Sequence, residues 1–138
     1  MKVVLDTNIL VAAFATQGLC HAVFELCLDQ HEIVLSQEIL LELGAALEIK
    51  LKVPHSVAKR TTEYLREHAL VQRIKGPFEK ISRDSSDDHI LALAKLAGVD
   101  YIITGDEDLL VIKSHANIPI VQPRQFWEML KRIENQPS

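Results

Sequence analysis

The chain has 138 residues, 48% hydrophobic and 25% charged, with a formal net charge of -4. This is ordinary globular composition, enough for one domain with a real core. No apolar run approaches the ~20 residues needed to span a bilayer. The N-terminal residues also lack the basic-then-apolar layout of a secretion signal, so a cytoplasmic protein with no membrane partner is expected.

Aromatic residues make up only 5%, so the core must be built from Leu, Ile, Val and Ala. Cys20 and Cys27 are the only cysteines. On a helix they would stand roughly 10 Å apart, too far for a disulfide, and they lack the spacing of a zinc site. Two reduced thiols are expected.

In chain order, Val3-Val4-Leu5 reads as a buried strand that ends abruptly in Asp6. A short helix follows from Ile9 to Ala15, and Gly18 interrupts it. Cys20, Val23, Phe24, Cys27 and Leu28 then mark one face of an amphipathic helix. Ile33 to Leu35 is a second strand, with Ser36 as the N-cap of a helix carrying Ile39, Leu40, Leu43, Ala46 and Leu47. Pro54 separates this from a helix at about 56–69. Leu70 to Ile74 makes a third strand, closed by Lys75-Gly76-Pro77.

The second half keeps the rhythm. Asp87 to Ala97 is helical and Gly98 stops it. Tyr101 to Thr104 is a strand, and a short helix follows Gly105-Asp106. Ile118 to Val121 is the last strand, and Pro123 opens a helix through about Ile133. Alternating strands and helices imply an α/β fold whose parallel sheet, of about five strands, is covered on both faces. Residues 1–134 read as a single domain and 135–138 as a frayed tail.

Charge is segregated along the chain. Residues 50–83 hold nine bases and three acids, a net +6 that leaves -10 for the remainder. Lys50, Lys52, Lys59, Arg60 and Arg66 are the candidates there for nucleic-acid contact; a solvated helical face is the plainer reading.

Sites in open parallel sheets form outside the carboxyl ends of the strands. Asp6 and Asp106 stand at such ends, Asp87 begins the helix feeding the Asp106 strand, and Glu42 lies one to two turns into the helix after the second strand. Singly, each aspartate reads as a helix cap and Glu42 as plain surface. Together they would crowd like charges: two carboxylates ~5 Å apart repel by roughly 3 kcal/mol at an effective dielectric near 20. A central cation relieves that repulsion. All-oxygen ligands suit Mg²⁺ or Mn²⁺ and not zinc, and such an ion among carboxylates is suited to phosphodiester hydrolysis.

Four ordered elements, "VVLDTNIL", "SQEILLEL", "DSSDDHILALA" and "YIITGDEDLL", together with the closing "IPIVQPRQFWEML", resemble the PIN-domain family, which includes toxins of VapC-type toxin–antitoxin pairs. The resemblance covers nearly the whole chain. It implies a three-layer α/β/α fold and a metal-dependent endoribonuclease that cuts single-stranded RNA to leave 5′-phosphate ends. It also implies a cognate antitoxin and a homodimer or higher homo-oligomer.

Carried onto this sequence, the family's acids fall on Asp6, Glu42, Asp87 and Asp106. Asp108, and more weakly Asp84, would assist from the side. Thr7 and Asn8 would bond the Asp6 carboxylate or the ion's water, and Thr104 would hold the loop or a phosphate. Asp88 is the alternative to Asp87, because a one-residue shift of the helix start would exchange them. The branch resembled often has a proline where Ser85 and Ser86 stand, which leaves the loop shape open.

Other readings remain. A haloacid-dehalogenase-like phosphatase needs a second acid two residues after its nucleophile, and Asn8 stands there. No glycine-rich phosphate loop is present for a nucleotide-binding enzyme. An RNA-processing nuclease that is not a toxin, or an inactive RNA- or protein-binding module, would share the fold. The six histidines are scattered, and His89, beside the acidic pair, reads as a packing or solvated residue.

Overall fold

Val3, Val4 and Leu5 have no solvent exposure, which is what an unbroken apolar run demands of a strand covered on both faces. The computed structural model describes residues 1–135 and places this run, β1 (Lys2–Leu5), in the middle of a six-stranded sheet. Its neighbours are β2 (Glu32–Ser36) on one side and β4 (Tyr101–Ile103) on the other, both parallel to it. Beyond β2 lies β3 (Leu70–Gln72), and beyond β4 lies β6 (Ile118–Val121), again parallel. The last edge is β5 (Ser114–His115), antiparallel to β6.

The strand order is therefore β3-β2-β1-β4-β6-β5. The chain winds outward from β1 in one direction and then, from β4, in the other. Between β1 and β4 the connections diverge, which opens a crevice at their carboxyl ends. Asp6 and Thr104-Gly105-Asp106 emerge at that crevice from adjacent strands, and the Asp6 N–H donates to the Ile103 carbonyl at 3.0 Å.

Helices flank the sheet. α1 (Thr7–Ala15) packs on α2 (Leu19–Gln30) and on α3 (Gln37–Ile49), and α3 packs on α4 (His55–His68). α5 (Asp88–Ala97) lies across β1 and β2. α6 (Glu107–Leu110) is a single turn, and α7 (Pro123–Glu134) packs on α2. The Ser36 hydroxyl caps α3 by accepting from the Ile39 N–H at 3.1 Å, as its position in the sequence requires. α3 then buries Ile39, Leu40, Leu43 and Leu47, leaving Glu42 on its open side. Cys20 and Cys27 are both free thiols, and burial pushes the Cys27 thiol up to about 12. No single helix among the described residues is long and apolar enough to cross a membrane.

Gly98 closes α5 in the left-handed conformation, φ 63° and ψ 47°. No atom lies within 4 Å of where a Cβ would stand, so Gly98→Ala should cost only the backbone penalty, about 1 kcal/mol. Urea unfolding checks this, and an unchanged midpoint would mean the helix end relaxes without cost.

Three local differences from the sequence reading have physical causes. β3 stops at Gln72 and not Ile74, because it is an edge strand with no neighbour beyond it to prolong the ladder. α5 begins at Asp88, after a 3-10 turn at Ser85–Asp87. Asp84 caps that turn, accepting from the Ser86 N–H at 3.0 Å and the Ser86 hydroxyl at 2.8 Å. The sixth strand arises because Ala116 and Asn117 both take positive φ, 51° and 65°, the turn geometry that folds β5 back on β6. Of the expected tail at 135–138, Asn135 is the C-cap of α7 and the rest lies outside the described residues.

Candidate functional site

At the crevice, one cavity of about 540 Å³ is lined by Asp6, Glu42, Asp84, Asp87 and Asp106, with Thr7, Asn8 and His89 among its other walls. Ala45, Ala46, Ile49 and Lys50 extend it along α3. Five carboxylates thus face one lysine and one histidine.

Asp6 is held from two sides. Its Oδ1 accepts from the Thr7 N–H at 2.7 Å, and its Oδ2 accepts from the Thr104 hydroxyl at 2.8 Å. Thr104, fully buried, in turn accepts from the Asp106 N–H at 3.0 Å. The loop after β4 is therefore fastened to the end of β1 through one threonine. Asp106 also caps α6, accepting from the Asp108 N–H at 2.8 Å. Capping and site building are not rival readings here: both aspartates cap a helix and both face the shared cavity.

Glu42 reaches the cavity from the surface of α3. Its Oε2 accepts from the Thr7 hydroxyl at 2.8 Å, and its Oε1 lies 3.0 Å from His89 Nε2. The His89 side chain is only 11% exposed, and its buried Nδ1 has no partner among the described residues. His89 is the residue that sequence reasoning set aside. Its signal was present, since His89 stands in the first turn of the helix that follows Asp87.

Asp87 and Asp88 part company. Asp87 lines the cavity, and its buried Oδ2 has no hydrogen-bond partner among the described residues. Asp88 is 4% exposed, and its Oδ1 accepts from the N–H groups of Ile81 and Ser82 at 3.2 and 2.8 Å. It ties down the irregular segment that precedes the turn. Asp88→Ala should therefore destabilise the fold by about 1–3 kcal/mol for each orphaned N–H that stays buried. Asp88→Asn, which keeps Oδ1, should be milder. If Asp88→Ala melts like the unaltered protein, this tie has no structural weight.

The tightest acidic cluster among the described residues is Asp84, Asp87 and Asp108, with oxygen atoms all within 4.8 Å of one another. Asp108 does not line the main cavity; its carboxylate pairs with Arg83 at 2.9 Å. Asp87 belongs to both groupings, so the two acid sets share an edge. Of the basic candidates, Lys50 lines the cavity. Lys59 borders a groove between α3 and α4, and Arg60 one formed by Phe14, Val57 and Tyr64. Lys52, Lys59, Arg60 and Arg66 are exposed and lie outside the acidic cavity.

The electrostatics match the crowding. Burial raises the Asp6 carboxyl above its usual range, against the hydrogen bonds from Thr104 and Thr7, and the charges of Asp106 and Glu42 add to the rise. Asp87 is pushed up to about 7, first by burial and then by the charges of Asp106, Asp6 and Asp84. Glu42 moves the other way, lowered first by its hydrogen bond with His89, and His89 is raised in return.

This donor set fits a hard divalent cation. The groups on offer are all carboxylate oxygens, two of the carboxyls resist ionising side by side, and Asp87 Oδ2 is a buried oxygen with no hydrogen-bond partner among the described residues.

The sequence matches the PIN domain family over residues 2–108. The chain belongs to the PIN-domain family. Among solved structures, this PIN domain is similar to VapBC2 from Rickettsia felis bound to a DNA fragment from their promoter, with 15% identity, 88% of this chain and 98% of that chain covered, and a TM-score of 0.62. It is also similar to VapC20 of Mycobacterium tuberculosis, a sarcin-ricin loop cleaving toxin, with 13% identity, 85% and 98% covered, and a TM-score of 0.59. FitAcB from Neisseria gonorrhoeae gives 18% identity, 88% and 98% covered, and a TM-score of 0.56. Likeness at these identities is likeness of fold. No curated protein matches the sequence.

Proposed function

We propose that this PIN domain is a Mg²⁺- or Mn²⁺-dependent endoribonuclease that hydrolyses phosphodiester bonds of single-stranded RNA, and that it is the toxin of a toxin–antitoxin pair. The observation that carries this reading is the convergence of Asp6, Glu42, Asp87 and Asp106 on one open cavity at the switch point of the sheet. The toxin assignment draws support from the fold shared with VapBC2, FitAcB and a sarcin-ricin loop cleaving toxin. On the same reading it works in the cytoplasm as a homo-oligomer and is restrained by a cognate antitoxin.

Asp6, Glu42, Asp87 and Asp106 would hold the cation, with Asp84 and Asp108 beside it. Such an ion supplies Lewis-acid activation of the attacking water and neutralises charge building on the phosphate. The protein's own residues do the rest. The Thr7 N–H and the Thr104 hydroxyl orient Asp6. Asn8, exposed in the first turn of α1, offers an amide to a phosphate oxygen. Five carboxylates repel a polyanion, so the strand must be drawn in from the cavity's rim. Lys50, at the C-cap of α3 and on the cavity wall, is placed for that.

Lys50→Ala should weaken single-stranded RNA binding several-fold at low salt and reduce the salt slope by about one. Fluorescence anisotropy on an Asp6→Asn background, where the RNA survives, measures both. An unchanged slope would take Lys50 out of the RNA path. The function itself is tested by incubating mixed-sequence single-stranded RNA with the purified protein in Mg²⁺ or Mn²⁺ and in EDTA. Cutting confined to the metal-containing samples is expected, and cutting that survives EDTA would overturn the reading.

A further inference from the structure

Three of the four central acids are short side chains fixed close to the backbone. Asp6 ends β1, Asp106 caps α6, and Asp87 closes the 3-10 turn. Their reach is limited, and the first two accept backbone N–H bonds. Glu42 is different. It projects from the middle of α3 with a side chain 44% exposed, and three rotatable bonds separate its carboxylate from the helix. Left alone, that carboxylate would turn to solvent, because holding a glutamate in one rotamer costs conformational entropy.

It is not left alone. Thr7 from α1 and His89 from α5 grip opposite oxygens of the same carboxylate, at 2.8 and 3.0 Å. Thr7 is already fixed by its position after Asp6. The His89 side chain is almost wholly buried, and its second nitrogen has no partner among the described residues. A histidine serving only to fill space has no need to aim its one bonded nitrogen at a carboxylate in the cavity. Losing a polar partner that orients a coordinating side chain typically costs about 10- to 100-fold in metal affinity.

We propose that His89 is the positioning residue of Glu42, fixing its carboxylate from α5 so that it joins the cation seat built by Asp6, Asp87 and Asp106. This role rests on the metal-dependent reading above. It lies in the Nε2 bond and not in any change of charge.

The test is Mn²⁺ binding by isothermal titration calorimetry, with melting in EDTA to confirm the fold. His89→Leu should weaken Mn²⁺ affinity about 10- to 100-fold. His89→Gln, whose amide nitrogen stands where Nε2 was, should restore most of it. His89→Asn remains polar but is too short to reach Glu42, so it should behave like His89→Leu and serves if the leucine variant does not fold. In RNA cleavage, the loss should appear as a higher Mn²⁺ requirement, with KM for RNA nearly unchanged. Unaltered Mn²⁺ affinity in a folded His89→Leu or His89→Asn protein would overturn the role of His89 while leaving the nuclease intact. Equal weakening in His89→Gln would also overturn it, by showing that the bond is not what matters. An unaltered protein that binds no Mn²⁺ would overturn the metal reading and this role with it.

Discussion

Asp6→Asn should reduce metal-dependent RNA cleavage by about a hundredfold or more and, in EDTA, raise the melting temperature. Both effects come from one arrangement. Asp6 is 6% exposed and carries a charge that burial, Asp106 and Glu42 all oppose. An asparagine keeps the shape and still accepts the Thr7 N–H on its oxygen. Its amide can donate to the Thr104 hydroxyl, which rotates to accept. The fold then loses a repulsive charge and keeps its fastenings, while the cavity loses a ligand. A rise on the order of 1 kcal/mol would move the midpoint by a few degrees in a chain of this size. Cleavage assays with Mg²⁺ and Mn²⁺, with thermal melts in EDTA, check the two halves independently. Full activity in a folded Asp6→Asn protein would remove Asp6 from the chemistry. A lower melting temperature would mean that the Thr104 bond needs the carboxylate.

The second large effect is a pH dependence set by Asp87. Its folded carboxyl titrates at about 7 against an ordinary value of 3.8. Between those values the folded protein keeps a proton that the unfolded chain has released. Stability of the metal-free protein should therefore fall as pH rises from about 4 to about 7 and level off above. Asp6, also raised, acts in the same direction, and His89, raised from 6.5, carries the fall on above that value. Glu42, lowered, acts oppositely: its contribution is present above the ordinary glutamate range and is lost on acidification.

A cation must displace the Asp87 proton, so Mg²⁺ or Mn²⁺ binding below pH 7 should release about one proton, with affinity rising up to about tenfold per pH unit until it flattens. Calorimetry in two buffers of different ionisation enthalpy counts that proton. Asp87→Asn should flatten the metal-free stability profile. A metal affinity independent of pH between 5 and 8 would show that Asp87 does not carry the proton.

The fold was legible because its strands are local and apolar. Val3 to Leu5, Ile33 to Leu35 and Ile118 to Val121 announce themselves, and each helix carries its face at the right spacing. Parallel strands deliver their last residues to one edge, so the sequence could bring Asp6 and Asp106 together only on the condition that their strands are neighbours, which the β1–β4 pairing meets. What could not be read was side-chain partnership. Asp87 and Asp88 are chemically identical, and only the packing of the segment at Ile81 and Ser82 decides which of them turns inward. His89 sits one residue further on, and its partnership with Glu42 is a contact between residues 47 positions apart. Arg83, paired with Asp108, was counted only as one of nine bases. Likewise, the run of bases at 50–83 suggested one binding surface, yet the fold sends Lys50 to the cavity and Lys59 and Arg60 to other grooves. Charge counted along a sequence is not charge displayed on a face.

The most direct test is the chemistry of the cut ends. Mixed-sequence single-stranded RNA, cut by the purified protein in Mn²⁺, should yield fragments with 5′-phosphate and 3′-hydroxyl ends, because an activated water attacks the phosphorus and the P–O3′ bond breaks, the 3′ oxygen leaving as a hydroxyl. Fragments ending in 2′,3′-cyclic phosphate would mean that the RNA's own 2′-hydroxyl is the nucleophile. That result would contradict water-based hydrolysis at the Asp6, Glu42, Asp87 and Asp106 site.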